Sequence, residues 1–273
     1  TVKSPNPEEK SALTLGLQLA EKIAADIVIG TDPDSDRIGV GVRQGSEYVL
    51  LTGNQIGALL ADFLLEAHKA ELTPATTVLK TVVTGELGAA IARAKGCQVV
   101  ETLTGFKYIG DKITSYEQDL KHKFFFGDAV GAALLVAEMA ACYKAKGQTL
   151  CDRLQELYGE YGYYYDAQAS YKLQGIAGKE KIKAIMDTLR KQQADSDFIH
   201  EPTEVLDFAK GIADLPTTNM LKYKLADGSW IAIRPSGTEP KLKLYCSLVE
   251  KNERAAKAKF AAIRKDFEQM FDL

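Results

Sequence analysis

The sequence predicts an α/β protein: a three-layer αβα domain with a mixed, mainly parallel sheet, preceded by part of a second such domain and followed by a small α+β domain. Three observations carry this. From Gly53, apolar residues at helical spacing alternate with short β-branched runs, the pattern of a parallel sheet covered on both faces. Ahead of it, one helix and three strands begin abruptly, with too little chain to bury both faces of a sheet; residues 1–51 are therefore read as the C-terminal part of a truncated αβα domain. Behind it, strand runs lie between two long helices and give the α+β unit.

Each element has its own signal. Pro5-Asn-Pro7 with Glu8 and Glu9 opens a helix that runs to about Ala25. A strand at 26–30, read as buried, leads into an acidic loop and a hairpin over 38–51. Helices at 54–69, 87–95 and 108–120 then alternate with strands at 77–83, 98–102 and 123–126, and residues 52–161 form the αβα domain. The step from Gly127 straight to Asp128 leaves almost no connection where a parallel sheet places a ligand loop, so a loop is expected to be missing between 127 and 128. After a helix at 150–161, residues 162–273 comprise a linker and the α+β domain. The linker holds a Tyr-rich extended stretch to 173, and Gly175 to Gly178 are read as a flexible joint. A helix at 179–192, strands near 204–208, 221–225, 230–233 and 241–249, and a terminal helix with Phe260, Ile263, Phe267 and Phe271 on one stripe complete the domain.

Composition narrows the function. With 34 Lys plus Arg against 37 Asp plus Glu, the chain offers no broad cationic surface for nucleic acid or an anionic membrane, so any phosphate recognition is local. Four cysteines without a Cys-x-x-Cys pair point to free thiols and a cytoplasmic setting. The longest apolar helical pattern, 129–143, contains Glu138 and is too short to cross a bilayer.

Asp32, Asp34 and Asp36 fall at alternate positions in Thr31-Asp-Pro-Asp-Ser-Asp-Arg37, directly after the apolar run Ile27-Val-Ile-Gly30. Three carboxylates so close repel one another, and a hard divalent cation relieves that repulsion. Oxygen-only ligands on a short loop stiffened by Pro33 favour Mg2+, with Arg37 beside it as a fork for a phosphate. An EF-hand fails on spacing, since Arg37 and Arg43 stand where Gly and Glu are required. A haloacid-dehalogenase-type phosphatase needs Thr or Val at Asp36 and stays as the runner-up.

Arg234-Pro-Ser-Gly-Thr-Glu-Pro-Lys241 joins two strand patterns and concentrates a guanidinium, two hydroxyls, a Gly and an ammonium, which are the parts of a phosphate cradle; an ordinary hairpin turn is the alternative. Lys107, in Thr104-Gly-Phe-Lys107, lies in a loop at a strand C-terminus but is a commonplace residue near a helix start. No Walker loop, dinucleotide fingerprint or His-centred triad is present.

In order along the chain, these motifs resemble those of the α-D-phosphohexomutase family, the phosphoglucomutases and phosphomannomutases, over essentially its whole length. The resemblance implies that 52–161 is the family's third-domain type, that Asp32, Asp34 and Asp36 hold Mg2+, and that Arg37 adjoins a phosphoserine. It implies a substrate loop of Thr104, Gly105 and Lys107, with Arg37 and Lys107 catalytic, and a grip by Arg234, Ser236, Gly237 and Thr238 on the phosphate that does not react. Hexose 1-phosphate, hexose 6-phosphate and hexose 1,6-bisphosphate are the implied partners, glucose and mannose remaining open, as does the oligomeric state. Nothing in the chain matches the family's catalytic Ser domain or its Gly-Glu-x-Ser sugar loop, so the polypeptide is expected to be a fragment that binds without turnover. The alternatives are a metal-dependent sugar-phosphate phosphatase with Asp32 as nucleophile and a non-catalytic sugar-phosphate binding module.

Overall fold

The computed structural model describes residues 5–119, 124–125, 129–192, 199, 202–237 and 239–273. Thr238 and the connection between residues 127 and 128 lie outside them. The chain divides into two compact units, Thr1–Tyr161 and Gly162–Leu273, each taken by itself.

In the first unit, α1 (Lys10–Ile23) places Leu13, Leu17 and Ala20 in the core and leaves Leu15, Leu19 and Ile23 exposed. An antiparallel sheet follows, in the order β1 (Ile27–Thr31), β2 (Ile38–Gln44), β3 (Glu47–Leu51). The reading of β1 as a buried strand is corrected here: residues 27–30 are only half-buried. Among the described residues β1 pairs with β2 alone, so its outer edge stays open, whereas Val40 and Val42 of the central β2 are buried. The helix α2 (Gly53–Ala67) begins with a full capping box, in which the Thr52 hydroxyl accepts from the Gln55 N–H and the Gln55 side chain accepts from the Thr52 N–H.

Beyond α2, β4 (Thr77–Thr81), α3 (Leu87–Ala94), β5 (Gln98–Thr102), α4 (Phe106–Asp119), β6 (Phe124–Phe125), α5 (Ala129–Ala145) and α6 (Leu150–Tyr161) follow in turn. The strands form a parallel sheet in the order β5-β4-β6, as the alternating pattern requires. One buried charge ties the helices together. The Asp62 carboxylate on α2 accepts from Arg153 Nε on α6 at 2.9 Å and from the Tyr143 hydroxyl on α5 at 3.3 Å, and lies 3.6 Å from Lys95 Nζ just past α3. A carboxylate this enclosed is tolerable only because those partners satisfy it. No helix among the described residues is long and apolar enough to cross a membrane.

The second unit is a five-stranded antiparallel sheet in the order β7-β11-β10-β9-β8, formed by β7 (Tyr163–Lys172), β8 (Glu204–Asp207), β9 (Leu221–Lys224), β10 (Trp230–Pro235) and β11 (Lys241–Glu250). One face carries Tyr171, Ile233, Leu242 and Leu244 and is covered by α7 (Gly175–Gln192) and α8 (Glu253–Phe271), through Ile182, Met186, Leu189, Ile263 and Phe267. Phe267 is fully enclosed, with the Tyr171 and Phe271 rings 5.7 and 5.1 Å away between centroids.

Two connector readings are corrected by this sheet. The Tyr-rich stretch is no linker but the strand β7, paired with β11 from Lys172↔Lys241 to Tyr163↔Glu250. Its three consecutive tyrosines, Tyr163 to Tyr165, followed by small and polar residues, fit a half-buried strand. Nor is the segment from Gly175 to Gly178 a joint: it is the first turn of α7. Gly178 is buried, and a Cβ there would lie 2.3 Å from the Leu173 carbonyl oxygen, so glycine lets the helix close onto the strand it has just left. Gly178→Ala is expected to lower the stability of this unit by about 1–3 kcal/mol, read as an earlier midpoint in urea denaturation.

Candidate functional site

The acidic loop hangs from the end of β1 and is closed by one residue pair. Asp32 Oδ1 accepts the Arg37 backbone N–H at 3.0 Å, and Asp32 Oδ2 accepts from Arg37 Nε at 2.6 Å. A further backbone bond runs from the Asp32 N–H to the Arg37 carbonyl at 3.3 Å. The chain reverses through Ser35, which sits at φ 57°, a left-handed conformation uncommon for a residue with a side chain. The Asp32 side chain is fully buried, while Asp36 is 69 % and Arg37 52 % exposed.

As the spacing predicts, the loop gathers Asp32, Asp34 and Asp36, with one carboxylate oxygen from each inside a group spanning 4.8 Å. Burial pushes the Asp32 carboxyl up, but the Arg37 N–H and guanidinium outweigh that and hold it below the usual range. Asp36 moves the opposite way, raised by its hydrogen bond to Asp32, by burial and by the charges of Asp32 and Asp34. One carboxylate is thus fixed and ionised, and two are crowded beside it. This donor set fits a hard divalent cation such as Mg2+: all the candidate ligand atoms are oxygen, and a cation offsets the crowding of three carboxylates.

At the C-terminal edge of the parallel sheet, Thr104 and Gly105 leave β5 and Phe106 opens α4, so Lys107 lies in the first turn of that helix. Gly105 adopts φ 131°, and Lys107 Nζ rests 4.7 Å from the Tyr108 ring centroid. At the same edge is a group the sequence reading missed. Lys80 on β4, with only 5 % of its side chain exposed, contacts Glu86 at 2.5 Å, its cross-strand neighbour Glu101 at 3.3 Å and the Thr84 carbonyl at 3.0 Å. A lysine inside an otherwise apolar strand run was the available signal. Its pairing fixes the β4–α3 turn where ligands approach such sheets.

In the second unit, β10 and β11 hold the remaining loop. The Ser236 N–H bonds to the Lys241 carbonyl at 2.8 Å, and the Leu173 N–H to the Pro240 carbonyl at 2.9 Å, fastening the loop to the end of β7. Arg234 lies opposite Lys243 and Lys172 opposite Lys241, all on the face away from the apolar core. A cavity of about 280 Å³ opens at this end, lined by Ser236, Gly237, Glu239 and Lys241 from the loop side and by Lys179 and Ile182 from α7. Lys179 and Lys241, with Ser236 and Gly237, give this cavity cationic and polar groups that could hold an anion. The acidic loop and the Thr104 loop belong to one unit and this loop to the other.

Three successive segments match descriptions of a single family: "Phosphoglucomutase/phosphomannomutase, alpha/beta/alpha domain II" at residues 1–45, "alpha/beta/alpha domain III" at 52–161, and "C-terminal domain" at 177–269. The chain belongs to the α-D-phosphohexomutase family. Phosphoglucomutases of Staphylococcus haemolyticus and Staphylococcus saprophyticus are 35 % and 33 % identical to it, over 91 % and 92 % of the chain. The chain spans about half the length of these curated relatives, 50 % in both cases. Among solved structures, the open form of parafusin, a phosphoglucomutase from Paramecium, superposes with a TM-score of 0.68 at 19 % identity, covering 98 % of this chain and 50 % of its own. A phosphoglucomutase/phosphomannomutase family protein from Burkholderia thailandensis gives 0.59 at 17 % identity, covering 97 % and 51 %. These two likenesses bear on the fold, a mixed α/β architecture.

If the acidic loop holds a cation, Asp34→Ala will weaken Mn2+ binding by about tenfold or more, because a direct ligand counts for at least as much as the outer-shell groups whose loss is of that size. Titration monitored by the electron paramagnetic resonance of free Mn2+ measures this. Equal affinity in the variant removes Asp34 from the site.

Proposed function

We propose that these 273 residues carry the metal, sugar and distal-phosphate loops of a phosphohexomutase that interconverts hexose 1-phosphate and hexose 6-phosphate. The carrying observation is the convergence of Asp32, Asp34 and Asp36 on one point, with Arg37 anchored by Asp32. On this reading a phosphoserine outside the chain's own loops donates its phosphoryl group to the sugar, and the resulting hexose 1,6-bisphosphate reorients and returns the other phosphoryl to the serine. Mg2+ held by the three aspartates supplies charge neutralisation for the transferring group. Arg37 contributes a guanidinium whose position is set before substrate arrives, which lowers the entropy of reaching the transition state. Lys107, with Thr104 and Gly105, faces the sugar from the third-domain loop. Arg234, Ser236, Gly237 and Thr238 grip the phosphate that does not react, and their binding energy holds the bisphosphate while it turns. Either phosphate must be accepted there, and short hydroxyls, N–H groups and cations suit a group recognised by charge rather than by sugar orientation.

Asp32 is ill placed to be the nucleophile of a phosphatase. Its side chain is fully buried, and both oxygens already accept from Arg37. The four cysteines are all free thiols, which fits a reducing, cytoplasmic setting for the protein.

Joined to the N-terminal half of a staphylococcal phosphoglucomutase, the chain is expected to convert glucose 1-phosphate to glucose 6-phosphate in a Mg2+-dependent coupled assay, with Asp34→Ala reducing the rate at least about a hundredfold. Undiminished turnover in that variant defeats the assignment.

A further inference from the structure

Among the described residues, the loop that would take the distal phosphate already contains an anion. Glu239 lines the cavity between this loop and α7, and its carboxylate sits 2.8 Å from Lys241 Nζ. The Glu239 side chain is 51 % exposed and Lys241 29 %, so the contact is held at the surface by charge and not by packing. The Lys241 hydrogen bond, then the fields of Lys241, Lys172 and Lys243, hold the Glu239 carboxyl below the usual range in spite of partial desolvation. Those lysines occupy neighbouring strand positions: Lys172 faces Lys241 across β7 and β11, and Lys243 faces Arg234 across β11 and β10. Lys179, on the far wall of the cavity, makes no ion pair among the described residues. A carboxylate with two oxygens thus sits among cations whose geometry suits a phosphate.

We propose that Glu239 is an internal counter-anion that occupies Lys241 while the loop is empty and is displaced when a phosphate enters the cavity between Lys241 and Lys179. This rests on reading the loop as a phosphate site, adds Lys179 to the set that reads the ligand, and gives Lys241 a partner in the empty loop. A resident carboxylate keeps the lysines apart in charge and in place, so the loop holds its shape without ligand. It also sets a threshold: a dianionic phosphate competes better than a monoanionic carboxylate, so sugar acids are rejected where sugar phosphates are held. The exchange costs affinity and speeds release, as suits a loop that must let go of one end of the bisphosphate and take up the other.

Calorimetric titration of the full chain with glucose 6-phosphate tests this. Glu239→Gln, which keeps shape and removes charge, is expected to tighten binding about twofold to fivefold, the range for an exposed ion pair. Lys241→Gln is expected to weaken binding and to abolish the gain from Glu239→Gln when the two are combined, since the carboxylate acts through that lysine. Lys179→Gln should weaken binding in either background, and the gain from Glu239→Gln should shrink at high salt. If Glu239 only braces the loop, Glu239→Gln will weaken binding or leave it unchanged while Arg234→Ala still abolishes it; that result overturns the proposal and leaves the phosphate loop standing. Binding indifferent to Arg234→Ala overturns both. Circular dichroism of each variant confirms that the fold is retained.

Discussion

A carboxylate shut away from solvent, Asp32, stays ionised because Arg37 reaches back over five residues to meet both of its oxygens. The acidic loop depends on that exchange. Without it, burial would favour the neutral acid, the turn through Ser35 would lose its closure, and Arg37 would swing free. The same contact divides labour among three chemically identical residues. Asp32 serves as the foundation, whereas Asp34 and Asp36 remain at the surface, where an incoming ion can find them. Arg37 is held by the acidic loop's own architecture, so its guanidinium is in place before any ligand is.

The second unit solves a related problem with opposite charge. Its sheet gathers cations at one end through strand register, Lys172 against Lys241 and Arg234 against Lys243. Like charges opposite one another in a sheet are unfavourable, and Glu239 beside Lys241 offsets part of that cost. The apolar face beneath, closed by α7 and α8, supplies the stability that such an arrangement draws on. Gly178 belongs to this economy of space, since it brings the start of α7 close enough for Lys179 to border the same cavity.

The sequence made some of this legible and hid the rest for physical reasons. Alternating helix and strand periods announced the parallel sheet of β4, β5 and β6, because burial on both faces leaves a run of β-branched residues that few other structures tolerate. The Asp triplet was readable because three carboxylates at alternate positions repel one another unless something offsets their charge. Tertiary context concealed other features. Tyr163 to Lys172 looked like a connector, for β7 lies at a sheet edge and carries a mixture of aromatic and polar residues that only pairing with β11 organises. Two glycines near the start of α7 read as a break in the chain, although Gly178 is required by a close approach that no local pattern encodes. The half-buried state of β1 depends on which strands flank it. Lys80 stands as a charge within an apolar run, and its partners Glu86 and Glu101 lie on different elements, where no local pattern reveals them.

The open side of β1 has a practical meaning. Among the described residues, Ile27, Ile29 and Thr31 there present unmatched amide and carbonyl groups, and the adjoining α1 shows Leu15, Leu19 and Ile23 to solvent. Backbone donors in a row beside a greasy ridge form a template for any extended peptide that drifts past, including another molecule of the same kind. Handled in isolation at high concentration, the polypeptide will be sticky along that seam, and a lysine engineered into the ridge, at Leu19 for instance, is the simplest way to keep it monodisperse.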